Sequence, residues 1–134
     1  MRDVELNRPE VVAEVAAAFA AYEKALVAGD VDALSRAFWD SAEVVRFGIA
    51  DHQVGAGELR ARREAQPPLP PGRTLIEPRI TTFGTDTAIV TTRFHYPDAP
   101  SEGRQSQSWR KFPGAGWQIV HAHVSVPTSV STSR

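Results

Sequence analysis

Apolar positions recur at spacings of three and four between Pro9 and Ala28, where Val12, Val15, Phe19, Tyr22 and Leu26 fall on one side. That is the pattern of a helix with a single buried face. Asn7 followed by Glu10 reads as a capping pair, Pro9 is tolerated in the first turn, and Gly29 supplies the stop. Asp30 caps a short second helix from Val31 to about Trp39, with Val31, Leu34 and Phe38 on one side. From Ala42 to Gly48 both alternating faces carry apolar groups, Val44 on one and Val45 with Phe47 on the other, which predicts a strand buried on two sides. A brief strand at His52 to Val54 and a third helix from Glu58 to Gln66 follow. The run Pro67 to Gly72 stops that helix, because proline lacks the donor and clashes in a helix interior.

Period-two patterning takes over beyond this point. Arg73 to Phe83 and Asp86 to Tyr96 flank Gly84-Thr85 as a hairpin, and Arg104 to Phe112 pairs through Pro113 to Gly116 with Trp117 to Val126. Helices first and antiparallel strands afterwards predict an α+β fold, three helices laid on one face of a strongly curved, mostly antiparallel sheet with a cavity at its open end. The 134 residues are expected to form one domain, with its core over about residues 7–126 and a frayed polar tail at 127–134.

Composition narrows the chemistry. Fifteen Lys plus Arg (15) against 16 Asp plus Glu give a net charge of −1, against a nucleic-acid partner, and the absence of Cys excludes disulfides, thiolate metal sites and thiol nucleophiles. The N-terminus lacks a basic start and an unbroken apolar run, and nothing approaches a membrane span, so a cytoplasmic location with no membrane partner is expected. All basic residues except Lys24 and Lys111 are Arg, a skew that a GC-rich genome explains while leaving individual buried arginines open.

Two residues stand out. Tyr22 lies on the inward face of the first helix with a hydroxyl that needs a partner, either a core contact or a ligand. Arg46 sits in an apolar strand, where a guanidinium is costly unless a carboxylate or a ligand meets it; Asp40, Glu43, Asp51 and Glu58 are the candidate internal partners. Strict alternation in the last strand would place Trp117, Ile119, His121, His123 and Ser125 on one mixed face. His-x-His alone lacks a third metal ligand, so neither a metal nor another cofactor is expected. The preceding strand sets Gln105, Gln107 and Trp109 on one face, suited to an amide or ureido group or to solvent, and Arg60, Arg62, Arg63 and Glu64 read as a solvated helix face.

Several strings, in this order, resemble the AtzH-like family: Asn7-Arg8-Pro9-Glu10-Val11, Ala21-Tyr22-Glu23-Lys24-Ala25-Leu26, Phe38-Trp39-Asp40, Val45-Arg46-Phe47-Gly48, Ile80-Thr81-Thr82-Phe83-Gly84, Gly103 to Trp109, and Ala122-His123-Val124-Ser125. The resemblance implies the cone-shaped, cystatin-like fold of the nuclear transport factor 2-like and SnoaL-like superfamily. It further implies bacterial ureido-compound catabolism: an amidohydrolase of a carboxylated ureido acid such as 1,3-dicarboxyurea, or a non-catalytic accessory protein of oxalurate-type catabolism. In either case the partner is a small anionic carboxylate and the chain forms a homodimer or higher homo-oligomer. The family's proposed catalytic tyrosine and arginine match Tyr22 and Arg46. Trp39, Gln107, Trp109 and His123 are expected to shape the substrate pocket, with His123 nominated as general base because histidine titrates near neutral pH. A cyclase or isomerase of an apolar substrate would need a deep carboxylate base, for which there is no good candidate. The chain departs from the family pattern at Phe47, at Asp51-His52 and along Leu59-Arg60-Ala61-Arg62-Arg63, changes that bear on substrate identity more than on fold.

Overall fold

A computed structural model describes residues 4–127. Helix α1 (Pro9–Ala28) buries Val11, Val15, Phe19, Tyr22, Ala25 and Leu26, so the inward stripe starts at Val11 and not at Val12. Gly29 closes it in the left-handed conformation at φ 68, as expected of a glycine stop. The Asn7–Glu10 capping pair does not form. Arg8 occupies the cap position without a side-chain bond, and Asn7 is drawn to the sheet, its backbone N–H donating to the Thr82 carbonyl at 3.0 Å and its side-chain oxygen accepting from Thr82 N–H at 2.8 Å. Helix α2 (Val31–Ala37) is shorter than expected and starts at Asp30, whose carboxylate accepts from Ala33 N–H at 3.0 Å. Helix α3 (Ala56–Ala65) starts earlier than Glu58 and buries Leu59 and Arg63.

The strands β1 (Val45–Phe47), β2 (His52–Val54), β3 (Thr74–Phe83), β4 (Thr87–His95), β5 (Gly103–Phe112) and β6 (Gly116–Ser125) form one sheet in the order β2-β1-β6-β5-β4-β3. All pairs are antiparallel except β1 with β6. The expected α+β architecture, three helices on a mostly antiparallel sheet, is what forms.

Sidedness follows from period two. The inner face carries Ala88, Val90, Thr92 and Phe94 of β4 beside Trp109, Gln107, Gln105 and Gly103 of β5. Strand β1 is not buried on two sides: Val44 is fully buried and Arg46 shares its face, whereas Phe47 turns outward and stays 42% exposed. The outer side of the sheet carries no helix at this point.

A bulge breaks the alternation in β6. Trp109 pairs with Ile119 but Ser108 pairs with His121, so Val120 is an extra residue. Ile119 and Ala122 therefore both face inward, and His121 and His123 face outward beside Phe47, at ring distances of 5.8 and 5.5 Å.

Two features secure β3. Leu6 bridges to Phe83, covering one end of this edge strand, and a second bulge between Ile76 and Arg79 holds Glu77 at φ 50 beside Pro78. Across the sheet, Gly103 leaves room for the Phe94 ring: a Cβ there would lie 2.0 Å from the ring. Gly103→Ala is expected to lower stability by about 1–3 kcal/mol through this overpacking. Gly57→Ala meets nothing within 4 Å and is expected to leave stability unchanged or raise it by about 0.5 kcal/mol. Denaturant unfolding of the two variants checks both.

Candidate functional site

Arg46 enters the interior from β1, its side chain only 12% exposed. Its Nη1 donates to Gln53 Oε1 at 2.9 Å and lies 3.6 Å from Asp51 Oδ2. Gln53 on β2, 5% exposed, donates from Nε2 to the same carboxylate oxygen at 2.9 Å, bracing the pair. Gly48 allows this approach, because a Cβ there would sit 2.0 Å from Asp51 Oδ1 and 2.8 Å from Arg46 Nη1. Of the candidate partners Asp40, Glu43, Asp51 and Glu58, Asp51 is the one that meets Arg46. Arg62 also reaches it, Nε lying 2.8 Å from Asp51 Oδ2 with the N–H aimed elsewhere, so the contact is ionic without being a hydrogen bond.

Arg63 completes the cluster. It lies four residues after Leu59, on the face of α3 that packs inward, and is 6% exposed. Its Nη2 donates to the Tyr22 hydroxyl at 3.3 Å and its Nη1 to Gln66 Oε1 at 3.0 Å. Its guanidinium lies 5.6 Å from the centre of the Phe38 ring, against which Tyr22 packs edge-on at 6.1 Å. The α3 arginines do not form a uniformly solvated face: Arg60 pairs outward with Asp32 at 2.8 Å, and Arg63 goes in. The spacing Leu59 to Arg63, one helical turn, was the available signal. Gln53 could have been found from β2 itself, where it alternates with exposed His52 and Val54.

Two guanidinium groups thus contact a single carboxylate, and the charge of a third, Arg63, acts on it from farther away. Burial, and next the charge of Arg63, lower the proton affinity of Arg46, yet a guanidinium stays ionised. Desolvation alone would raise the Asp51 pKa; the Gln53 hydrogen bond and the charges of Arg46, Arg62 and Arg63 outweigh it and hold the carboxyl below its ordinary value of 3.8. The site is a positive centre with less negative charge than its arginines could accept.

Gln107 and Trp109 are both 1% exposed on the inner face. Trp109 Nε1 donates to Gln107 Oε1 at 3.1 Å, which leaves Gln107 Nε2 a buried donor without a partner. In register, Arg46 pairs with Ala122 and Ala122 with Gln107, so Gln107 lies two strand spacings from Arg46, about 10 Å. Two sequence-nominated residues lie apart. Trp39 stacks on Phe112 at 5.7 Å, and His123 is on the outer face because of the β6 bulge. Of the departures from the family pattern, Phe47 and His52 also face outward, in contact at 6.5 Å, whereas Asp51 and Arg63 belong to the cluster.

Two further features frame the cluster. A groove of about 590 Å³ runs between α2 and α3 over Leu34, Phe38 and Leu59, with Arg63 in its wall. Elsewhere on the inner side Arg73 is fully matched: Nε donates to Glu23 Oε1 at 2.9 Å, Nη1 to Tyr96 and Nη2 to Gln105 at 3.2 Å each, and the guanidinium stacks 4.4 Å above Phe94.

Helices on the concave side of a bent sheet define the cystatin-like, nuclear transport factor 2-like class of α+β proteins. The profile of the AtzH-like family matches residues 4–129. The chain belongs to the AtzH-like family. A cystatin-like fold protein from Burkholderia xenovorans LB400 is 46% identical, with a TM-score of 0.91 over 95% of this chain and 99% of its own. A DUF3225-family protein of unknown function from Pectobacterium atrosepticum SCRI1043 is 42% identical, with a TM-score of 0.89 over 92% and 95% of the two chains. A nuclear transport factor 2-like superfamily protein from Salmonella enterica serovar Typhimurium LT2 shares the fold at 24% identity, TM-score 0.72, covering 93% and 98%. Comparison with curated proteins gave no match. Among the described residues no helix is long and apolar enough to cross a membrane.

The depressed Asp51 carboxyl has a consequence for acid stability. A group whose folded pKa lies below its unfolded one stabilises fully above the unfolded value and loses that contribution as pH falls through the folded value. Stability is therefore expected to drop as pH passes below the ordinary aspartate value of 3.8. Asp51→Asn is expected to reduce that part of the slope, as read by denaturant unfolding across the acid range.

Proposed function

We propose that the protein binds a small carboxylated ureido acid at Arg46 and Tyr22 and hydrolyses its C–N bond. The supporting observation is the surplus of positive charge: buried Arg46 and half-buried Arg62 share one carboxylate, Asp51, while buried Arg63 has no carboxylate partner among the described residues. A planar fork such as Arg46 suits a carboxylate held by two parallel bonds. With one carboxylate so held, Tyr22 would donate to the neighbouring carbonyl oxygen, and the unpartnered Gln107 amide would offer a second donor. Negative charge spreads onto that oxygen from the departing nitrogen as the C–N bond to the carboxyl group breaks. Fixed donors and nearby guanidinium charge stabilise it most strongly at that moment. The water oxygen joins the carbon of a carboxyl group, the bond from that carbon to nitrogen breaks, a water proton goes to the departing nitrogen, and the carboxyl group leaves as bicarbonate. Membership of the AtzH-like family is consistent with 1,3-dicarboxyurea as substrate and allophanate as product.

The outward position of His123 favours a second reading, a non-catalytic carboxylate-binding accessory protein. Asp51 cannot replace the missing base, because a carboxyl held below its ordinary pKa is a poor proton acceptor. The two readings separate by turnover. Allophanate formation from 1,3-dicarboxyurea, followed by carbon-13 NMR, is expected to exceed the uncatalysed rate. Arg46→Ala is expected to lower kcat/KM by about 10²–10³ while the fold persists, the range for losing one oxyanion-stabilising group. Binding without acceleration sinks the hydrolase reading and leaves the accessory one.

The site would act in a cytoplasmic homodimer formed through the outer sheet face. That face exposes Phe47 and Ile89, each 42% accessible, with Val54 at 51%. Sedimentation at micromolar concentration is expected to give a dimer that Phe47→Asp shifts towards monomer; a monomer throughout contradicts the assembly.

A further inference from the structure

Neither charge pairing nor apolar packing accounts for the position of Arg63. A buried guanidinium with neutral partners is costly, and leucine or methionine would fill that face of α3 at less expense. Gln66 and Tyr22 are its hydrogen-bond partners, and no carboxylate pairs with it among the described residues. We infer that Arg63 is a positioning residue that fixes the direction of the Tyr22 hydroxyl proton and turns it towards the ligand held by Arg46. This rests on the carboxylate-binding reading above.

The direction follows from donor arithmetic. A guanidinium carries donors only, so across the 3.3 Å contact Nη2 donates and the Tyr22 oxygen accepts. The hydroxyl proton must then point away from Arg63. Tyr22 is 5% exposed and makes no other hydrogen bond among the described residues. A buried donor without an acceptor is destabilising, a penalty that a ligand oxygen removes.

The geometry holds both partners still. Tyr22 packs edge-on to Phe38 at 72°, Arg63 lies 5.6 Å from the centre of the same ring, and Gln66 accepts from Nη1 at 3.0 Å. Swinging the guanidinium away would break both of its hydrogen bonds. Charge acts in the same sense, because Arg63 and Arg46 repel and an anion near both relieves that repulsion.

Malonate is a suitable probe, titrated calorimetrically into the unmodified protein, Tyr22→Phe, Arg63→Met and the double variant. If Arg63 acts through Tyr22, Arg63→Met weakens malonate about tenfold when Tyr22 is present and less than about twofold in the Tyr22→Phe background. Arg63→Lys, which keeps a donor and a charge, recovers part of the loss. Equal losses in both backgrounds overturn the inference, since they mean that Arg63 serves the fold or acts by charge alone. If Arg63→Met does not melt cooperatively, Arg63→Lys and Arg63→Gln carry the same comparison. Binding removed by Arg46→Ala but untouched by Arg63→Met overturns this inference alone. An unmodified protein that binds neither malonate nor oxalate overturns the carboxylate reading and this inference with it.

Discussion

Burying a guanidinium is the constraint around which the inner side of this fold is organised. Two arginines show its two solutions. Arg73 gains Glu23, Tyr96, Gln105 and the Phe94 ring, and the ring has its place because β5 starts with a glycine. Breaking such a pair by removing one partner costs about 3–5 kcal/mol, whereas an exposed, solvent-screened pair such as Arg60–Asp32 contributes little. Arg46 and Arg63 are buried on different terms: Arg46 shares its carboxylate with Arg62, and Arg63 has only the neutral partners Gln66 and Tyr22. The matched arginine is structural; the unmatched pair is where the proposed anionic ligand would bind.

Most of the architecture could be read from the sequence because it follows local rules. The stripe of α1, the Asp30 cap, the Gly84 turn and the alternation in β4 and β5 each depend on residues within a few positions of one another. Errors arose where a distant contact decided the outcome. Asn7 resembled a cap but binds Thr82 on a strand far along the chain. Val44, Val45 and Phe47 looked buried on both faces because sequence does not say that only one side of β1 carries helices.

The members of the candidate cluster are legible in part. Tyr22 and Arg46 were evident because each puts polar chemistry in an apolar setting. His123 was misplaced by one extra residue, Val120, which reverses sidedness for the rest of β6. Arg63 was hidden among neighbouring arginines, since composition cannot distinguish the member of a charge run that occupies the apolar stripe. Helical phase from Leu59 distinguishes it, and a strand bulge leaves no comparable mark.

The edges of the sheet set a limit of another kind. On one side β2 is only three residues long; on the other, Leu6 and Asn7 cover the end of β3 while Pro78 and the left-handed Glu77 interrupt its hydrogen-bonding run. Neither border offers a long straight row of free N–H and C=O groups. Growth of the sheet by templated strand addition is thereby blocked at both borders. Among the described residues, both borders thus work against edge-to-edge stacking of copies into a fibre and leave the sheet face as the surface open to contact.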